Sequence, residues 1–372
     1  MKTRGVDDDT PMASPLDTLL TQLPSRLEGS RPSAIGSYAS AQSLGRLTGR
    51  IIVSVDTPRC TGHLRLALGP YATSAGDLVL PIDFAERLWA GSLDLLVPCD
   101  AELVDQLRRR GQAAQPGPPP DVVAASGTLF ARALVGPLWP WPAHAPTPAT
   151  VFEVADATPD DLAWWVGRAN GVFLDGATYL LAHEAAHVVQ AHAETITDVK
   201  AALADAQLMR DAARAAGAAQ VHESDRETSA RQTALEVERE ADAAARDALF
   251  GTGVNESSKL PRGFAAVLVC TVSVLLAGSP AGLCQVAHPD LDVRLRQTLE
   301  ALDAVRATAA TAGGQDIPDA NDALWRVAAT GLLIAMERWG MPSVSAPEVE
   351  SWAALTLMLF DRLEAVKSPP DV

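Results

Sequence analysis

Hydrophobic positions follow two different patterns along the chain, and the change between them falls near residue 150. Between residues 51 and 97, apolar runs of strand length are separated by turn-forming residues. The candidate strands are Ile51–Val55, His63–Leu68, Asp77–Leu80 and Asp94–Val97. From Thr158 onwards, long stretches of helix-forming residues take their place. The patterns therefore predict an α+β fold that is mainly α.

The same change divides the chain into three predicted segments. Residues 1–50 are predicted to form a flexible N-terminal segment and linker, with a short helix from Ser14-Pro15 through Leu23. Glu28–Gly49 is rich in Gly, Ser, Arg and Ala and has little hydrophobic periodicity, which is typical of a linker. Residues 51–150 are predicted to form a smaller strand-containing accessory region. Residues 151–372 are predicted to form a helical domain.

Several helix boundaries can be predicted in the helical part. Thr158-Pro159-Asp160-Asp161 is typical of a helix start, and this helix is expected to end near Gly171. A second helix is expected from about residue 172 to 193. Two long helices should follow, of which the later begins near Ser224–Thr228 and ends at Gly251. Gly340 is expected to stop a helix that begins near Asn321.

One uncharged, apolar stretch could be either a membrane-spanning segment or a buried core helix. Residues 263–289 contain no Asp, Glu, Lys or Arg, and the densest apolar part is Phe264–Gly278. That part has about fifteen residues, whereas a bilayer needs roughly twenty. A buried core helix is therefore the preferred prediction, and membrane association through residues 263–283 remains the alternative.

Charge and cysteine content narrow the possible partners and location. The formal net charge is −16, which argues against nucleic acid or an anionic membrane surface as the main partner. The four cysteines are scattered and form no CxxC pair, so a cysteine-based metal site is not expected. Without a signal-peptide pattern at the start of the sequence, a cytoplasmic location is predicted.

The chemistry-bearing motif is His183-Glu184-Ala185-Ala186-His187, an HExxH sequence inside an apolar run without glycine. Residues four apart lie on one face of a helix, so both imidazoles can reach one metal ion. Glu184 follows the first histidine and can take a proton from water at that metal. This spacing is typical of zinc peptidases, although two partly buried helix histidines would produce the same letters.

A hydrolytic zinc site needs a third protein ligand, and the sequence offers candidates about fifty residues later. Glu238 and Asp242 are four apart and would share a helix face. A carboxylate there can bind zinc, and the second acid can accept the spare N–H of a ligand histidine. Glu236 and Glu240 are also available, and a solvated acidic helix face would explain the same residues.

The residues after HExxH exclude one class of zinc peptidase. The metzincin pattern HExxHxxGxxH requires Gly and His where this chain has Gln190 and Ala193, so that class is rejected. His192 lies one position earlier than the metzincin histidine. Further along, His288-Pro289 opens another helix, and Arg294 follows one turn later.

The order HExxHxxxxH, ExxAD and HPxxxxR over Ala182–Leu302 resembles the HtpX and CAAX-prenyl-protease group of gluzincin metallopeptidases. The phage-exclusion, Lit-like peptidases are a looser match. The resemblance implies a helical zincin-type catalytic domain. It also implies residue roles: zinc ligands His183, His187 and Glu238, general base Glu184, outer-shell Asp242, and His288 and Arg294 near the active site. The membrane location and prenylated substrates of the first group are not carried over.

The expected function is therefore zinc-dependent hydrolysis of peptide bonds in a protein or peptide substrate. His288 is the candidate for an additional donor to the developing oxyanion, and Arg294 is expected to hold its helix or pair with Asp242. A catalytically silent scaffold, a membrane-associated protease and a host-defence or toxin-type peptidase remain alternatives.

Overall fold

The structure is a computed structural model. It describes residues 18, 19, 21, 22, 51–54, 69–73, 75–109, 111, 117–118, 120–135, 159–190, 192–216, 224–251, 254–283, 290–311, 318–342 and 351–367. The predicted strand His63–Leu68 and residue His288 lie outside these described residues.

The described strands form one small sheet. Strands β1 (Ile51–Ser54), β2 (Tyr71–Ala72) and β3 (Leu78–Pro81) have the spatial order β1-β3-β2. β1 runs parallel to β3, with Ile51 opposite Leu78, and β2 runs antiparallel to β3, with Tyr71 opposite Val79. β3 is buried along its whole length, so its short apolar run forms the middle of the sheet.

Helices make up the rest of the described structure. They are α1 (Ile82–Arg109), α2 (Pro120–Val135), α3 (Pro159–Val189), α4 (His192–Ala215), α5 (Asp225–Phe250), α6 (Glu256–Leu276), α7 (Leu291–Thr311), α8 (Pro318–Arg338) and α9 (Trp352–Lys367). A short 3₁₀ helix, Pro280–Leu283, follows α6. The predicted mainly α, α+β class is confirmed. Helix α5 also has its predicted boundaries, capped by Ser224 and ending before Gly251.

Helix α6 is at the centre of the helical core, packed against α1, α3, α5, α7 and α8. Its apolar residues are buried almost without interruption from Ala265 to Ala277. Neighbouring helices approach it closely through glycines, since Cβ atoms added at Gly91, Gly176 and Gly331 would clash with α6 side chains. By length and composition, Ser257–Leu276 is the one described helix that could cross a membrane, and 67% of its apolar window is buried inside the protein.

Two boundary predictions were wrong, and both errors have a physical reason. The predicted strand Asp94–Val97 belongs to α1, because a short apolar run has the same composition in a buried helix as in a buried strand. The helix predicted to end at Gly171 and the one predicted from about residue 172 to 193 are a single helix, α3, which ends at Val189, and His192 begins α4. A helical glycine costs only about 1 kcal/mol relative to alanine, and burial of Ala169 and Phe173 on either side offsets that cost.

The close approach of α3 and α6 predicts that alanine substitutions at two glycines of α3 change the free energy of unfolding in opposite directions. A Cβ at Gly176 would lie 2.1 Å from Val269 Cγ2, whereas a Cβ at exposed Gly171 meets nothing within 4 Å. We expect Gly176→Ala to lower the free energy of unfolding by about 1–3 kcal/mol through overpacking. We expect Gly171→Ala to raise it by about 0.5–1 kcal/mol through reduced chain entropy in the unfolded state. Urea unfolding checks both, and equal effects at the two positions would contradict the packing described.

Candidate metal centre and its surroundings

The HExxH residues lie near the C-terminal end of α3, where the helix is almost fully enclosed. His183 and His187 are 3% and 7% exposed, and their Nε2 atoms are 3.1 Å apart. The four-residue spacing places both rings on the same helix face, as the sequence predicted. The two imidazoles therefore direct one nitrogen each toward a common point.

Helix α5 supplies a carboxylate to the same point. Glu238 Oε2 lies 3.1 Å from His183 Nε2, and Glu238 Oε1 lies 3.4 Å from His187 Nε2. Glu238 is buried, whereas Glu236 and Glu240 on the same helix are exposed. Of the four acids near this position, the structure thus brings Glu238 to the histidine pair.

The three side chains form a donor set that could hold a metal ion. One ligand atom from each of His183, His187 and Glu238 lies within 4.8 Å of the others, and all three residues are buried. Zinc bonds to N and O ligands are about 2.0–2.2 Å long, so tetrahedral ligand atoms lie about 3.3–3.6 Å apart. The two Nε2 atoms are 3.1 Å apart, and each lies 3.1–3.4 Å from one of the two Glu238 oxygens, which is close to that spacing. The donors also fit zinc in chemical type.

Asp242 connects the donor set to α7. It is fully buried one turn after Glu238, and its Oδ1 lies 2.8 Å from His183 Nδ1. Arg294 donates two hydrogen bonds to the same carboxylate, Nη2 to Oδ1 at 2.6 Å and Nε to Oδ2 at 3.0 Å. Asp242 therefore contacts a histidine from α3 and an arginine from α7.

The electrostatics of this cluster favour positive charge beside the carboxylates. Burial alone would lower the pKa of His183, but its hydrogen bonds to Asp242 and Glu238 outweigh burial and raise the pKa to about 9. Burial alone would raise the pKa of Asp242, but Arg294 and His183 hold it well below its usual range. The site therefore stabilises a proton on His183 in the metal-free protein. The negative charge of the same carboxylates would also stabilise a bound metal cation.

Glu184 lies at the more open side of the cluster. Its side chain is 15% exposed, and Oε1 is 4.0 Å from His183 Nε2. Its other oxygen, Oε2, accepts a hydrogen bond of 3.0 Å from the backbone N–H of Ala72 on β2. The sheet thus holds Glu184 in place, a contact that no motif in the sequence indicated because the two residues are far apart in the chain.

A third histidine belongs to the same buried cluster. His192, the first residue of α4, is 7% exposed, and its Nδ1 lies 3.1 Å from His187 Nδ1. Its Nε2 is 3.5 Å from Glu240 Oε2. Burial and the neighbouring His187 lower the pKa of His192. Its place after HExxH was visible in the sequence, but the sequence did not indicate that it faces the outer nitrogen of His187.

The chain matches the family model described as Peptidase U49 over residues 83–312, which is more than half of its length. The chain belongs to the Peptidase U49 family. This is a peptidase family of the Lit-like kind, which was the looser of the two resemblances, and the HtpX and CAAX grouping is not confirmed. No curated protein and no solved structure matches the chain.

The U49 match extends from α1 to just beyond the end of α7. It therefore includes every residue that the sequence assigned to the site: His183, Glu184, His187, Glu238, Asp242, His288 and Arg294. Sheet residue Ala72, which binds Glu184, lies outside the matched range. Membership of U49 supports peptidase activity, and a peptidase would act on a protein or peptide substrate.

The buried Asp242–Arg294 pair gives a prediction on stability in the metal-free protein. Asp242→Leu leaves the Arg294 guanidinium largely buried without its carboxylate, so we expect a loss of about 3–5 kcal/mol in the free energy of unfolding. The double variant Asp242→Leu, Arg294→Met removes both charges and should recover much of that loss. Exposed Glu236→Ala on the same helix is the control, with a change within about 0.5 kcal/mol. Urea unfolding measures all three, and a double variant no more stable than the single one would contradict the pairing.

Proposed function

We propose that this U49 peptidase is a zinc-dependent endopeptidase in which His183, His187 and Glu238 hold the ion and Glu184 is the general base. The single observation that carries the proposal is the convergence of two imidazole nitrogens and one carboxylate beside a second, more open carboxylate, that of Glu184. Two histidines and a glutamate are a ligand set that catalytic zinc sites use, and they leave a coordination position for water or substrate. The gluzincin type of site is part of this proposal.

A zinc ion held by these residues would lower the pKa of water toward ~7 and polarise a peptide carbonyl. The protein's own groups then have separate tasks. Glu184 takes a proton from the attacking water and passes it to the leaving amine, a role that suits its position at the edge of the donor set. The Ala72 N–H holds Glu184 Oε2, which leaves Oε1 on the side of His183.

Asp242 and Arg294 are proposed to position His183. A neutral imidazole carries one proton, so a hydrogen bond from Nδ1 to Asp242 leaves the Nε2 lone pair facing the donor set. Arg294 compensates the charge of Asp242 and keeps the carboxylate ionised in a buried place. His288 stays a prediction as an additional oxyanion donor, because it lies outside the described residues.

The proposal also includes the location and the domain organisation of the enzyme. We propose a cytoplasmic enzyme whose residues 51–150 form an accessory region and whose residues 151–372 form the peptidase domain, without nucleic acid as a partner. The burial of α6 among five helices supports a core role for residues 263–283. The intact Glu184, held next to the donor set, favours an enzyme over a catalytically silent scaffold.

One test of the proposed function separates metal binding from catalysis. Glu184→Gln keeps the donor set and its shape but removes the base, so zinc content should stay near one ion per chain while hydrolysis falls by about 10²-fold or more. Zinc is measured by atomic absorption, and cleavage is measured by mass spectrometry as new termini in a peptide library from digested cell extract. Undiminished cleavage by the variant would remove Glu184 as the base.

A second test compares neighbouring acids. Glu238→Ala should weaken zinc binding far more than Glu236→Ala, because Glu236 is exposed and Glu238 lies at the histidine pair. His187→Ala should have an effect of the same kind as Glu238→Ala, since each removes one of three ligands. Chelator competition gives the zinc dissociation constants, and a larger effect of Glu236→Ala would mean that the wrong acid is assigned.

A further inference from the structure

The two histidines of the donor set have different partners on their outer nitrogens. His183 Nδ1 faces the buried Asp242 carboxylate, but His187 Nδ1 faces a third imidazole, that of His192, at 3.1 Å. The His187 and His192 ring centroids are 5.3 Å apart with an interplanar angle of 66°. On its far side, His192 Nε2 is 3.5 Å from Glu240 Oε2. A line of three side chains therefore extends from the donor set to the surface.

We propose that His192 is a positioning residue that fixes the tautomer and ring orientation of His187, and that Glu240 fixes His192 in turn. The proposal rests on the zinc site proposed above. His187 directs Nε2 to the donor set, so its single ring proton must be on Nδ1 when Nε2 binds a metal. The short contact then requires the Nδ1 of His192 to accept that proton's hydrogen bond.

The tautomer of His192 follows from the same reasoning. A neutral His192 that accepts at Nδ1 carries its proton on Nε2, which is the nitrogen next to the Glu240 carboxylate. Both interactions are then satisfied by one arrangement of protons, with His187 donating to His192 and His192 donating to Glu240. In the opposite arrangement, His192 Nδ1–H would meet His187 Nδ1–H, and two donors would face each other at 3.1 Å.

The location of the three residues explains why this support is possible. Helix α3 ends at Val189, and α4 begins at His192, so the two histidines belong to separate helices. In a continuous helix, residues five apart would not share a face, and His192 would not reach His187. Glu240 lies on α5 two residues after Glu238, so α5 contacts both ends of the His187–His192 pair.

The consequence is measurable as metal affinity. Removing an outer partner of a metal-binding histidine typically weakens metal binding by about 10–100-fold. We therefore expect His192→Leu, which fills the space but offers no acceptor, to raise the zinc dissociation constant by about that factor. His192→Asn can place its amide oxygen near the former Nδ1 position, so it should restore affinity close to that of the wild-type chain.

The second measurement uses the unmodified full-length chain loaded with zinc. With ¹⁵N-labelled histidine, long-range proton–nitrogen spectra distinguish Nδ1–H from Nε2–H tautomers, and the His192→Asn spectrum identifies the His192 signals. The proposal requires the Nε2–H tautomer for His192 and a slowly exchanging Nδ1–H for His187. This readout is independent of whether His192→Leu folds.

The outcomes separate this inference from the zinc site itself. If the wild-type chain binds zinc, His187→Ala does not, and His192→Leu binds as tightly as wild type, the positioning role is overturned while the zinc site stands. An Nδ1–H tautomer at His192 also overturns it. If neither wild type nor His187→Ala binds zinc, the proposed function fails and this inference fails with it. Three results together support the proposal. His192→Leu weakens zinc binding, His192→Asn binds zinc about as tightly as the wild type, and His192 in the wild-type chain is the Nε2–H tautomer.

Discussion

The arrangement of the site depends on one buried carboxylate, Asp242. A charged carboxylate without solvent contact is strongly unfavourable unless other groups pair with it. Here His183 from α3 and Arg294 from α7 both contact it, and Arg294 does so through two parallel hydrogen bonds. Because α5 carries Asp242, three helices must keep their relative rotation for the charge to stay paired. That requirement also fixes Glu238, one turn earlier on α5, against the histidine pair.

The start of α7 is held from its other side as well. Lys367 at the end of α9 lies 3.0 Å from Asp290 and 2.9 Å from Asp292, and burial of this ammonium is compensated by those acids. Asp292 is itself buried, two residues before Arg294. The C-terminal helix therefore stabilises the segment from which Arg294 reaches the site. A chain of paired charges links α9, α7, α5 and α3, so the position of His183 depends on residues far from it in sequence.

Helix geometry accounts for part of what the sequence could assign, whereas the choice of Glu238 over Glu236 and Glu240, and the role of Arg294, came from the family resemblance. His183 and His187, and Glu238 and Asp242, are each four apart, and four residues return a side chain to the same helix face. Contacts between residues far apart in the chain have no such regular spacing in the sequence. The contact between Ala72 and Glu184 uses a backbone N–H, which has no sequence signature, and His192 joins the site only because α3 and α4 are separate helices.

The strand wrongly predicted at Asp94–Val97 has another cause. Helix α1 packs against α2, α3, α6 and α8, and its consecutive residues Leu95, Leu96 and Val97 are all buried, as they would be in a buried strand. The same reasoning accounts for α6, whose uniformly apolar sequence follows from helices packed around it at glycine contacts. A helix that is apolar on every side is what either a core or a membrane produces, and composition alone could not separate the two.

The two metal-binding histidines proposed here differ in how firmly their surroundings hold them. His183 is bound to an ionised, fully buried carboxylate that has a second charged partner, whereas His187 is bound to an imidazole whose own partner is a largely exposed glutamate. Charge-assisted hydrogen bonds are roughly twice as strong as neutral ones, and exposed ion pairs contribute little. The His183 side of the donor set is therefore the more rigid, and it is tied to the helical core. His187 is instead hydrogen-bonded to the first residue of α4. A displacement of α4 would therefore change the orientation of His187 before that of the other proposed metal ligands.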